Sequence, residues 1–439
     1  MKNNLIKKYK GKKVLVWGLG LHGGGIGSAS FFAKLGANVL VIDSKSKIEL
    51  KASIAKLKKF KNITYHFGEH REEDFKTQDF IIRGPAIKDD NKFLKIAKKA
   101  KVKIENDVGI FFENSPAFKI GVTGTKGKST LTALIYELLK QEIKKTRKQK
   151  NKKSGINLSK FNKVFLGGNI RKSVFDCLQQ ADGKSIVVLE LSSFQLDHAR
   201  YAKVSPNISV LTNIYPEHIN FHGTFKKYEE AKTLIFKYQK KGDMLIIPNE
   251  LKKLTKNVKS DISIFDKDKP EEVLKIIAEK FGISDTSIAH IKKSFKGLEG
   301  RQEFIKELHG RRFINDTTAT HPLSIIYSLK RFENPILIMG GIDKGFGEEV
   351  DELADIINQR NIRVVMLPGT FSDIIKKKFK KSVPLFDVSS MKEAVQKAYS
   401  ISAKNDIILL SPGGASFNLF NNEFDRGDQF KKQVFELKS

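Results

Sequence analysis

The sequence predicts an α/β fold divided into three domains, over residues 1–117, 118–303 and 304–439. Two observations carry this prediction. Short apolar runs typical of buried strands alternate with helical patterns along the chain, which indicates parallel sheets covered by helices. A strand–turn–helix series also begins three separate times, and 439 residues are enough for two to four domains of ordinary size.

The first series begins with the strand Val14–Trp17, which runs into Gly18-Leu-Gly20-Leu-His22-Gly23. A helical stretch follows, and then a second strand, Val39–Ile42, that closes on Asp43. This Gly-x-Gly-x-x-Gly loop predicts a Rossmann-like domain, in which backbone N–H groups bind a diphosphate and the acidic residue accepts from a ribose hydroxyl. The loop recognises the diphosphate, so by itself it fits a nicotinamide or flavin enzyme as well as any other nucleotide ligand.

The second series begins at Phe118–Val122 and continues as Gly121-Val-Thr-Gly124-Thr-Lys-Gly127-Lys128-Ser129-Thr130. It departs from a strict Walker A pattern, because Val122 stands where that pattern places its first glycine. The physical elements are present nonetheless. Glycines let the backbone approach phosphate oxygens, Lys128 places a cation beside the β- and γ-phosphates, and the Ser129 hydroxyl is an Mg²⁺ ligand. We therefore predict a central P-loop-type α/β domain that binds ATP.

The third series starts near Phe304 and predicts a second Rossmann-like α/β domain at the C-terminus. Its strands are predicted at Ile336–Met339, Val364–Leu367 and Ile407–Leu410, and each ends in glycine or proline turn residues.

Composition limits the function classes. One cysteine, Cys177, excludes an internal disulfide framework and a multi-cysteine zinc site, and no apolar run is long enough for a membrane span or a signal peptide. We expect a cytoplasmic protein. The net charge of +31 raises nucleic-acid binding as an alternative, but the lysines are spread through many segments as on a solvated surface. Only residues 144–153 form a concentrated basic block, which we interpret as an exposed linker.

Further segments, in order along nearly the whole chain, resemble those of the Mur ligases. They are Gly167-Gly-Asn169-Ile170, Glu190-Leu-Ser192-Ser193-Phe194-Gln195-Leu196, Asn213-Ile-Tyr-Pro-Glu217-His218, Ala231-Lys232, Asn315-Asp316-Thr-Thr-Ala-Thr320, Gly340-Gly341-Ile-Asp-Lys344-Gly345, Ser411-Pro-Gly-Gly-Ala-Ser416-Phe417 and Arg426-Gly427-Asp428. Within that family, these segments most resemble those of the members that add D-glutamate to UDP-N-acetylmuramoyl-L-alanine. The resemblance implies a cytoplasmic, monomeric ligase of peptidoglycan precursor synthesis that uses ATP and two Mg²⁺ ions, and binds neither membrane nor a specific nucleic acid.

The resemblance also implies roles for individual residues. The catalytic residues would be Lys128, His218 and Lys232, with Lys232 carbamylated. The metal ligands would be Ser129, Glu190, His218 and Lys232. ATP would be held by Gly124, Thr125, Lys126, Gly127, Lys128, Ser129, Thr130, Arg301 and Asp316. The UDP substrate would be held by Gly18, Gly20, His22, Gly23, Asp43, Asn169, Ser192 and Gln195, and D-glutamate by Thr320, Lys344, Ser416 and Phe417.

The sequence departs from the family pattern at several positions. A Gly-x-His-Asn segment that contributes to adenine binding is missing between Ser260 and Ser294, and Thr318 stands where many relatives have lysine. Three alternatives remain open. One is a Mur-type ligase for another amino acid, the second is a dinucleotide-dependent oxidoreductase based on the first loop alone, and the third is a nucleic-acid-binding ATPase based on the charge.

Overall fold

The computed structural model describes residues 2–20, 24–146, 155–170, 173–295 and 297–437. Two predicted binding residues, His22 and Gly23, lie outside the described residues, and so does most of the basic block at 144–153. By its internal contacts the chain divides into two compact units, Met1–Phe295 and Lys296–Ser439. The first unit contains two sheets and the second unit one sheet. The predicted boundaries at residues 117 and 303 stay predictions.

The first sheet has five parallel strands in the order β3-β2-β1-β4-β5. Its elements are α1 (Lys2–Tyr9), β1 (Lys13–Trp17), α2 (Gly24–Lys34), β2 (Asn38–Asp43), α3 (Lys51–Ala55), β3 (Ile63–Phe67), α4 (Glu73–Lys76), β4 (Phe80–Arg83), α5 (Lys92–Lys99), β5 (Lys103–Glu105) and α6 (Asp107–Asn114).

The second sheet has six parallel strands in the order β11-β10-β9-β6-β8-β7. Its elements are β6 (Phe118–Thr123), α7 (Lys128–Thr146), β7 (Lys163–Gly168), α8 (Val174–Gln180), β8 (Ser185–Glu190), α9 (Ser193–His198), β9 (Ile208–Leu211), α10 (Ile219–His222), α11 (Phe225–Lys237), β10 (Met244–Pro248), β11 (Asp261–Phe265), α12 (Glu272–Lys280) and α13 (Asp285–Ser294). Short 3₁₀ helices cover Leu158–Lys160, Ala199–Ala202 and Asn249–Thr255.

The third sheet, in the second unit, has the order β12-β13-β17-β14-β15-β16, and only β12 at its edge pairs antiparallel. Its elements are β12 (Glu303–Leu308), β13 (Arg311–Asn315), α14 (Pro322–Arg331), β14 (Ile336–Gly340), α15 (Glu349–Arg360), β15 (Val364–Leu367), α16 (Thr370–Lys376), β16 (Leu385–Asp387), α17 (Met391–Ser400), β17 (Ile407–Gly413) and α18 (Glu423–Glu436).

The central strands are runs of Val, Ile and Leu because helices cover both faces of each sheet. Every residue of β8 and of β14 is buried. One hydrophobic cluster spans the first two sheets, so the first unit has a continuous core that reaches from Val14 to Val187. In all three sheets most of the predicted site residues follow the carboxyl ends of parallel strands, where ligands bind in open α/β sheets; Lys232 on α11 and Arg301 ahead of β12 do not.

Candidate active site

A glycine loop connects β6 to α7, and its conformation depends on glycine at two positions. Gly124 and Gly127 have φ angles of 151° and 80°, which residues with a Cβ rarely adopt. A Cβ on Gly124 would lie 1.9 Å from the Thr212 hydroxyl. The loop therefore packs directly against the end of the neighbouring strand β9.

Residues after β9 hold this phosphate loop in shape. The Asn213 side-chain oxygen accepts from the N–H groups of Thr125 (3.1 Å) and Lys126 (2.8 Å). The Thr212 hydroxyl donates to the Lys126 carbonyl at 2.7 Å. Lys128 Nζ donates to the Thr125 carbonyl at 2.9 Å. The loop is thus preformed at the N-terminus of a long helix, where backbone N–H groups favour phosphate oxygens.

Lys232 on α11 lies beneath the phosphate loop and is almost completely buried. Only 1% of it is exposed, and its Nζ donates to the Gly124 carbonyl at 2.7 Å. The same nitrogen lies 4.6 Å from the ring centroid of Tyr228, whose hydroxyl is 3.0 Å from Thr125 Oγ1. Burial, followed by the nearby Lys128 ammonium, lowers the pKa of Lys232 to about 6. A large fraction of this amine is therefore neutral near pH 7.

Glu190 ends β8, the strand beside β6, and is fully buried. One carboxylate oxygen accepts from Asn169 Nδ2 at 3.0 Å, and the other, Oε2, has no hydrogen-bond partner. An unpaired buried carboxylate oxygen is costly unless something else compensates it. Glu190 and the buried Ser129 both carry oxygen atoms, the type of ligand that suits Mg²⁺.

His218 caps the short helix α10 with a left-handed backbone (φ 56°), and its ring lies 4.9 Å from that of Phe194. Partial burial, opposed by Glu217 and assisted by Lys128 and Lys232, keeps the pKa of His218 below its usual value. The imidazole is therefore neutral at physiological pH, the form that serves as a metal ligand. Among the described residues, no group of three or more His, Cys, Asp or Glu side chains is arranged for a metal ion. A metal site here would thus depend on the hydroxyl and the lysine as well.

Ser192 and Gln195, predicted to hold substrate, are engaged with each other at the start of α9. Ser192 Oγ accepts from the Gln195 N–H, and Gln195 Oε1 accepts from the Ser192 N–H, both at 3.2 Å. This reciprocal capping box stabilises the helix. Both residues follow shortly after Glu190, the last residue of β8.

The first glycine loop lies where strand order reverses in the first sheet, between β1 and β4. The Gly20 N–H donates to Asp43 Oδ2 at 2.9 Å, and the Gly20 carbonyl accepts from Ser53 Oγ at 2.8 Å. The second oxygen of Asp43 accepts from the Lys45 N–H at 3.0 Å. Asp43 therefore braces the loop, a role that the sequence pattern did not indicate.

Gly84, directly after β4, forms the other wall of this crevice. Its Cβ would lie 2.7 Å from the Trp17 carbonyl, and a Cβ on Gly18 would lie 4.0 Å from the Gly84 Cα. The glycine pattern of the first loop did not indicate Gly84. The sequence feature that could have indicated Gly84 is a glycine followed by a proline directly after an apolar run, in Arg83-Gly84-Pro85.

In the second unit, the predicted acceptor residues lie on three loops that hydrogen bonds join. The loops after β14 and β17 pair through Ile342 and Ala415, with two bonds of 2.8 Å. The loop after β13 joins them where the Gly413 N–H donates to the Ala319 carbonyl at 2.7 Å. This arrangement brings Lys344 within 2.9 Å of Thr320 Oγ1. Ser416 is buried, whereas Phe417 is 57% exposed.

Asp316 and Arg301 have different surroundings. Asp316 is 6% exposed and accepts from Ser328 Oγ (2.6 Å), Ser411 Oγ (3.1 Å) and the Gln302 N–H (3.1 Å). Burial raises its pKa to about 6 despite these donors. Arg301 is exposed. Asp316 thus organises the loops at the sheet edge, and its contact with a nucleotide stays a prediction.

Arg426 on α18 contacts two of these loops, and the sequence pattern did not indicate this role. It is 1% exposed and donates to the Thr317 carbonyl (2.8 Å), Thr317 Oγ1 (3.1 Å) and the Gly414 carbonyl (3.2 Å). A buried arginine therefore clamps the loops after β13 and β17. The sequence feature that could have indicated this role is a lone arginine beside Gly427. An arginine is rarely buried on a helix face without hydrogen-bond partners.

The fold and these loops define a nucleotide-using α/β enzyme with three sheets. Three family descriptions match consecutive parts of the chain: the Mur ligase MurD-like N-terminal domain (12–106), the Mur ligase middle domain (122–302) and the Mur ligase glutamate ligase domain (300–414). The chain belongs to the Mur ligase family.

Its relatives include full-length matches. The chain is 35% identical to the UDP-N-acetylmuramoylalanine–D-glutamate ligase of Borreliella burgdorferi strain ZS7, over 99% of this chain and 100% of that protein. It is 33% identical to the ligase of the same name from Roseiflexus sp. strain RS-1, over 97% and 98%. Among solved structures, MurF from Acinetobacter baumannii aligns with a TM-score of 0.57 at 14% identity, over 98% of this chain and 91% of that one. MurF from Thermotoga maritima, in complex with ADP, aligns with a TM-score of 0.53 at 17% identity, over 91% and 95%.

Proposed function

We propose that this chain joins D-glutamate to UDP-N-acetylmuramoyl-L-alanine with hydrolysis of ATP to ADP and phosphate. The single observation that best supports the chemistry is the preformed phosphate loop. Its Gly124 carbonyl accepts from the buried amine of Lys232, and the strand before it pairs with the strand that ends in Glu190, whose Oε2 has no hydrogen-bond partner. The full-length similarity to D-glutamate ligases supports the choice of amino acid.

The reaction has two steps. The carboxylate of the L-alanyl residue attacks the γ-phosphorus of ATP, so that an acyl phosphate forms and ADP leaves. The amine of D-glutamate then attacks the acyl carbon, and an amide forms as phosphate leaves and the amine loses a proton. Both steps bring anions together, so the protein must position them and neutralise their charge.

Lys128 and the N–H groups at the start of α7 would bind the phosphates and offset the charge of the transferring group. Ser129, Glu190, His218 and a carbamylated Lys232 would hold two Mg²⁺ ions, which supply electrostatic stabilisation of the phosphates. The low pKa of Lys232 supports carbamylation, because the neutral amine is the form that captures CO₂. A carbamate would replace a cation with an anionic oxygen ligand.

The two substrates that react would be held by different loops. The loop that contains Gly18 and Gly20 would bind the UDP diphosphate, while Asn169 and Gln195 would contact the muramoyl portion. Lys344 and Thr320, with Ser416 and Phe417, would bind D-glutamate, whose two carboxylates require a cation. A cytoplasmic location would agree with these nucleotide substrates, and among the described residues no helix has the length and apolar character to cross a membrane.

The experiment measures ATP-dependent phosphate release with UDP-N-acetylmuramoyl-L-alanine and a panel of D-glutamate, L-glutamate, L-lysine and glycine. We expect release only with D-glutamate, together with a product whose mass equals that of the amide. Release with another amino acid would identify a different Mur-type ligase. A nicotinamide-dependent absorbance change in place of phosphate release would support an oxidoreductase.

A further inference from the structure

Helix α6 joins the first sheet to the second, and its N-cap residue connects the two directly. Asn106 follows β5 and is 4% exposed. Its side-chain oxygen accepts from the Gly109 N–H at 2.7 Å, which caps α6. Its Nδ2 donates to the carbonyl of Gln195 on α9, at 3.1 Å. One buried amide therefore uses its acceptor inside the first domain and its donor across to the second.

Glycines allow close packing on both sides of this contact. A Cβ on Gly109 would lie 2.7 Å from the Asn106 oxygen and 3.8 Å from the Ala202 Cβ, so α6 packs closely on the 3₁₀ helix after α9. A Cβ on Gly27 of α2 would lie 2.5 Å from the Ser173 hydroxyl at the start of α8.

Aromatic packing adds to the contacts around Asn106, Gly109 and Gly27, which together we call the joint between the two domains. On the same two helices, α2 and α8, the rings of Phe31 and Phe175 stack with centroids 4.1 Å apart. Contacts of three kinds, a hydrogen bond, close approaches at glycines and a stacked ring pair, thus fix the first domain against the second.

The two domains that this joint connects each carry half of the binding site for one substrate molecule. The Gly18–Gly20 loop lies on the first sheet, whereas Gln195 and the phosphate loop lie on the second. If the proposed function holds, the diphosphate of the substrate is bound at the first half-site and its carboxylate reacts at the second. A misplacement of about 1 Å between reacting groups can cost on the order of 100-fold in rate.

We propose that Asn106 is a positioning residue, which together with Gly109 sets the spacing between the diphosphate site and the phosphate loop for a substrate that spans both. This inference rests on the proposed function. Asn106 touches neither the predicted phosphates nor the reacting carboxylate. Its effect is exerted through the carbonyl of Gln195, whose own side chain is held in the capping box with Ser192.

The kinetic test uses the full chain with Asn106→Ser, because serine still caps a helix but has no donor that reaches Gln195. Gly109→Ala is the second variant, since its Cβ collides with the Asn106 oxygen. Asn91→Ser is the matched control, because Asn91 caps α5 through the Phe93 N–H at 2.9 Å. Gly183→Ala is the glycine control, with open space at its Cβ position.

We expect kcat/KM for the full UDP substrate to fall about tenfold or more in both joint variants. Inhibition by UDP alone, which occupies only the first half-site, and KM for ATP should stay within about twofold of wild type. The controls should match wild type. The proposal is overturned if kcat/KM is unchanged, or if UDP inhibition and the KM for ATP worsen in proportion to it.

A distance measurement tests the joint without turnover. Spin labels at Lys58→Cys, in the turn after α3, and at Lys252→Cys, in the 3₁₀ helix after β10, are both at exposed positions and report the separation of the domains. We expect one narrow distance distribution in wild type and with Asn91→Ser, and a shifted or broadened one with Asn106→Ser or Gly109→Ala. Equal distributions would overturn the proposal. A wild-type protein with no ligase activity would refute the proposed function instead, and the distances would still decide whether the joint sets the spacing.

Discussion

At Lys232 the fold removes a lysine amine from water and leaves it under the phosphate loop. Its contacts with the Gly124 carbonyl and the Tyr228 ring fix the position of the nitrogen. We expect Lys232→Ala to be nearly inactive and partly restored by added formate or acetate, which would occupy the position of the carbamate. Turnover with and without the added carboxylate is the measurement.

Lys237→Ala is the matched control for that experiment, because Lys237 is exposed on the same helix. It should keep wild-type turnover and show no response to carboxylates. Full activity of Lys232→Ala without any additive would exclude the carbamate.

Lys344 tests the assignment of the acceptor site. Its removal should leave a substrate carboxylate without a partner, which weakens D-glutamate binding by about 1 to 3 kcal/mol. We expect Lys344→Ala to raise the KM for D-glutamate while the KM for ATP stays near the wild-type value. Lys330→Ala, exposed in the same unit, is the control. Loss of ATP binding with unchanged D-glutamate affinity would show that the domain assignment is wrong.

Asp316 predicts a particular dependence of stability on pH. Burial raises its folded pKa to about 6, above the value near 3.8 expected for an unfolded chain. The folded protein therefore binds the proton more tightly, so the contribution of this group is complete below about pH 4 and is lost as pH rises through 6.

The measurement compares wild type and Asp316→Asn by urea denaturation from pH 4 to pH 8. The free energy of unfolding of wild type, relative to the variant, should decline by on the order of 1 to 3 kcal/mol between pH 4 and 6 and then level off. A difference that is constant over the whole range would mean that Asp316 has an ordinary pKa.

Among the elements, the phosphate loop is shaped as much by β9 as by its own glycines. Thr212 and Asn213 form the surface on which the loop rests, and Gly124 makes the closest approach. In Gly124→Ala the new methyl would overlap the Thr212 hydroxyl and force a residue with a Cβ into φ 151°. The loop should therefore lose its preformed shape.

We expect Gly124→Ala to raise the KM for ATP at least about tenfold, because the N–H groups would no longer converge on the phosphates. Binding of UDP at the other glycine loop should stay unchanged. Gly183→Ala places a methyl in open space and should behave as wild type in both measurements. If Gly124→Ala bound ATP normally, the loop would not be the phosphate site.

For the whole molecule, the sequence patterns predicted where the strands lie along the chain better than which strands pair in each sheet. Val364–Leu367 was predicted with its observed bounds, and Phe118–Val122 fell one residue short of β6. Such strands can be predicted from the sequence because burial on both faces requires continuous apolar residues. The order of the strands in each sheet could not be predicted, because a buried parallel strand has the same apolar pattern whichever strand lies beside it.

The position of Lys128 and Ser129 at the start of a helix was predictable, because one motif supplies its own geometry. The candidate site was not predictable where distant segments cooperate. The brace from Asp43 to the Gly20 N–H, the buried clamp of Arg426 and the bridge from Asn106 to Gln195 all join residues far apart in sequence. Each depends on tertiary placement that no local pattern records.

The net charge of +31 acts at the scale of the whole molecule, because 80 basic residues are spread along the chain rather than gathered in one block. ATP, the UDP substrate and D-glutamate are all anions, so this field should raise their local concentration and speed their encounter. Salt screens such long-range attraction, since the Debye length falls from about 10 Å at 0.1 M to about 3 Å at 1 M.

We therefore expect kcat/KM for the UDP substrate to fall about threefold or more between roughly 50 mM and 500 mM KCl, the range over which screening becomes strong. The value of kcat, measured at saturation, should change less than about twofold because the bound groups are close together and partly buried. Sucrose at matched osmolality is the control for water activity and should leave kcat/KM unaffected apart from viscosity. A parallel loss of kcat and kcat/KM would point instead to salt acting on the site or on stability, and the excess of lysine would then be a property of the surface without a role in substrate encounter.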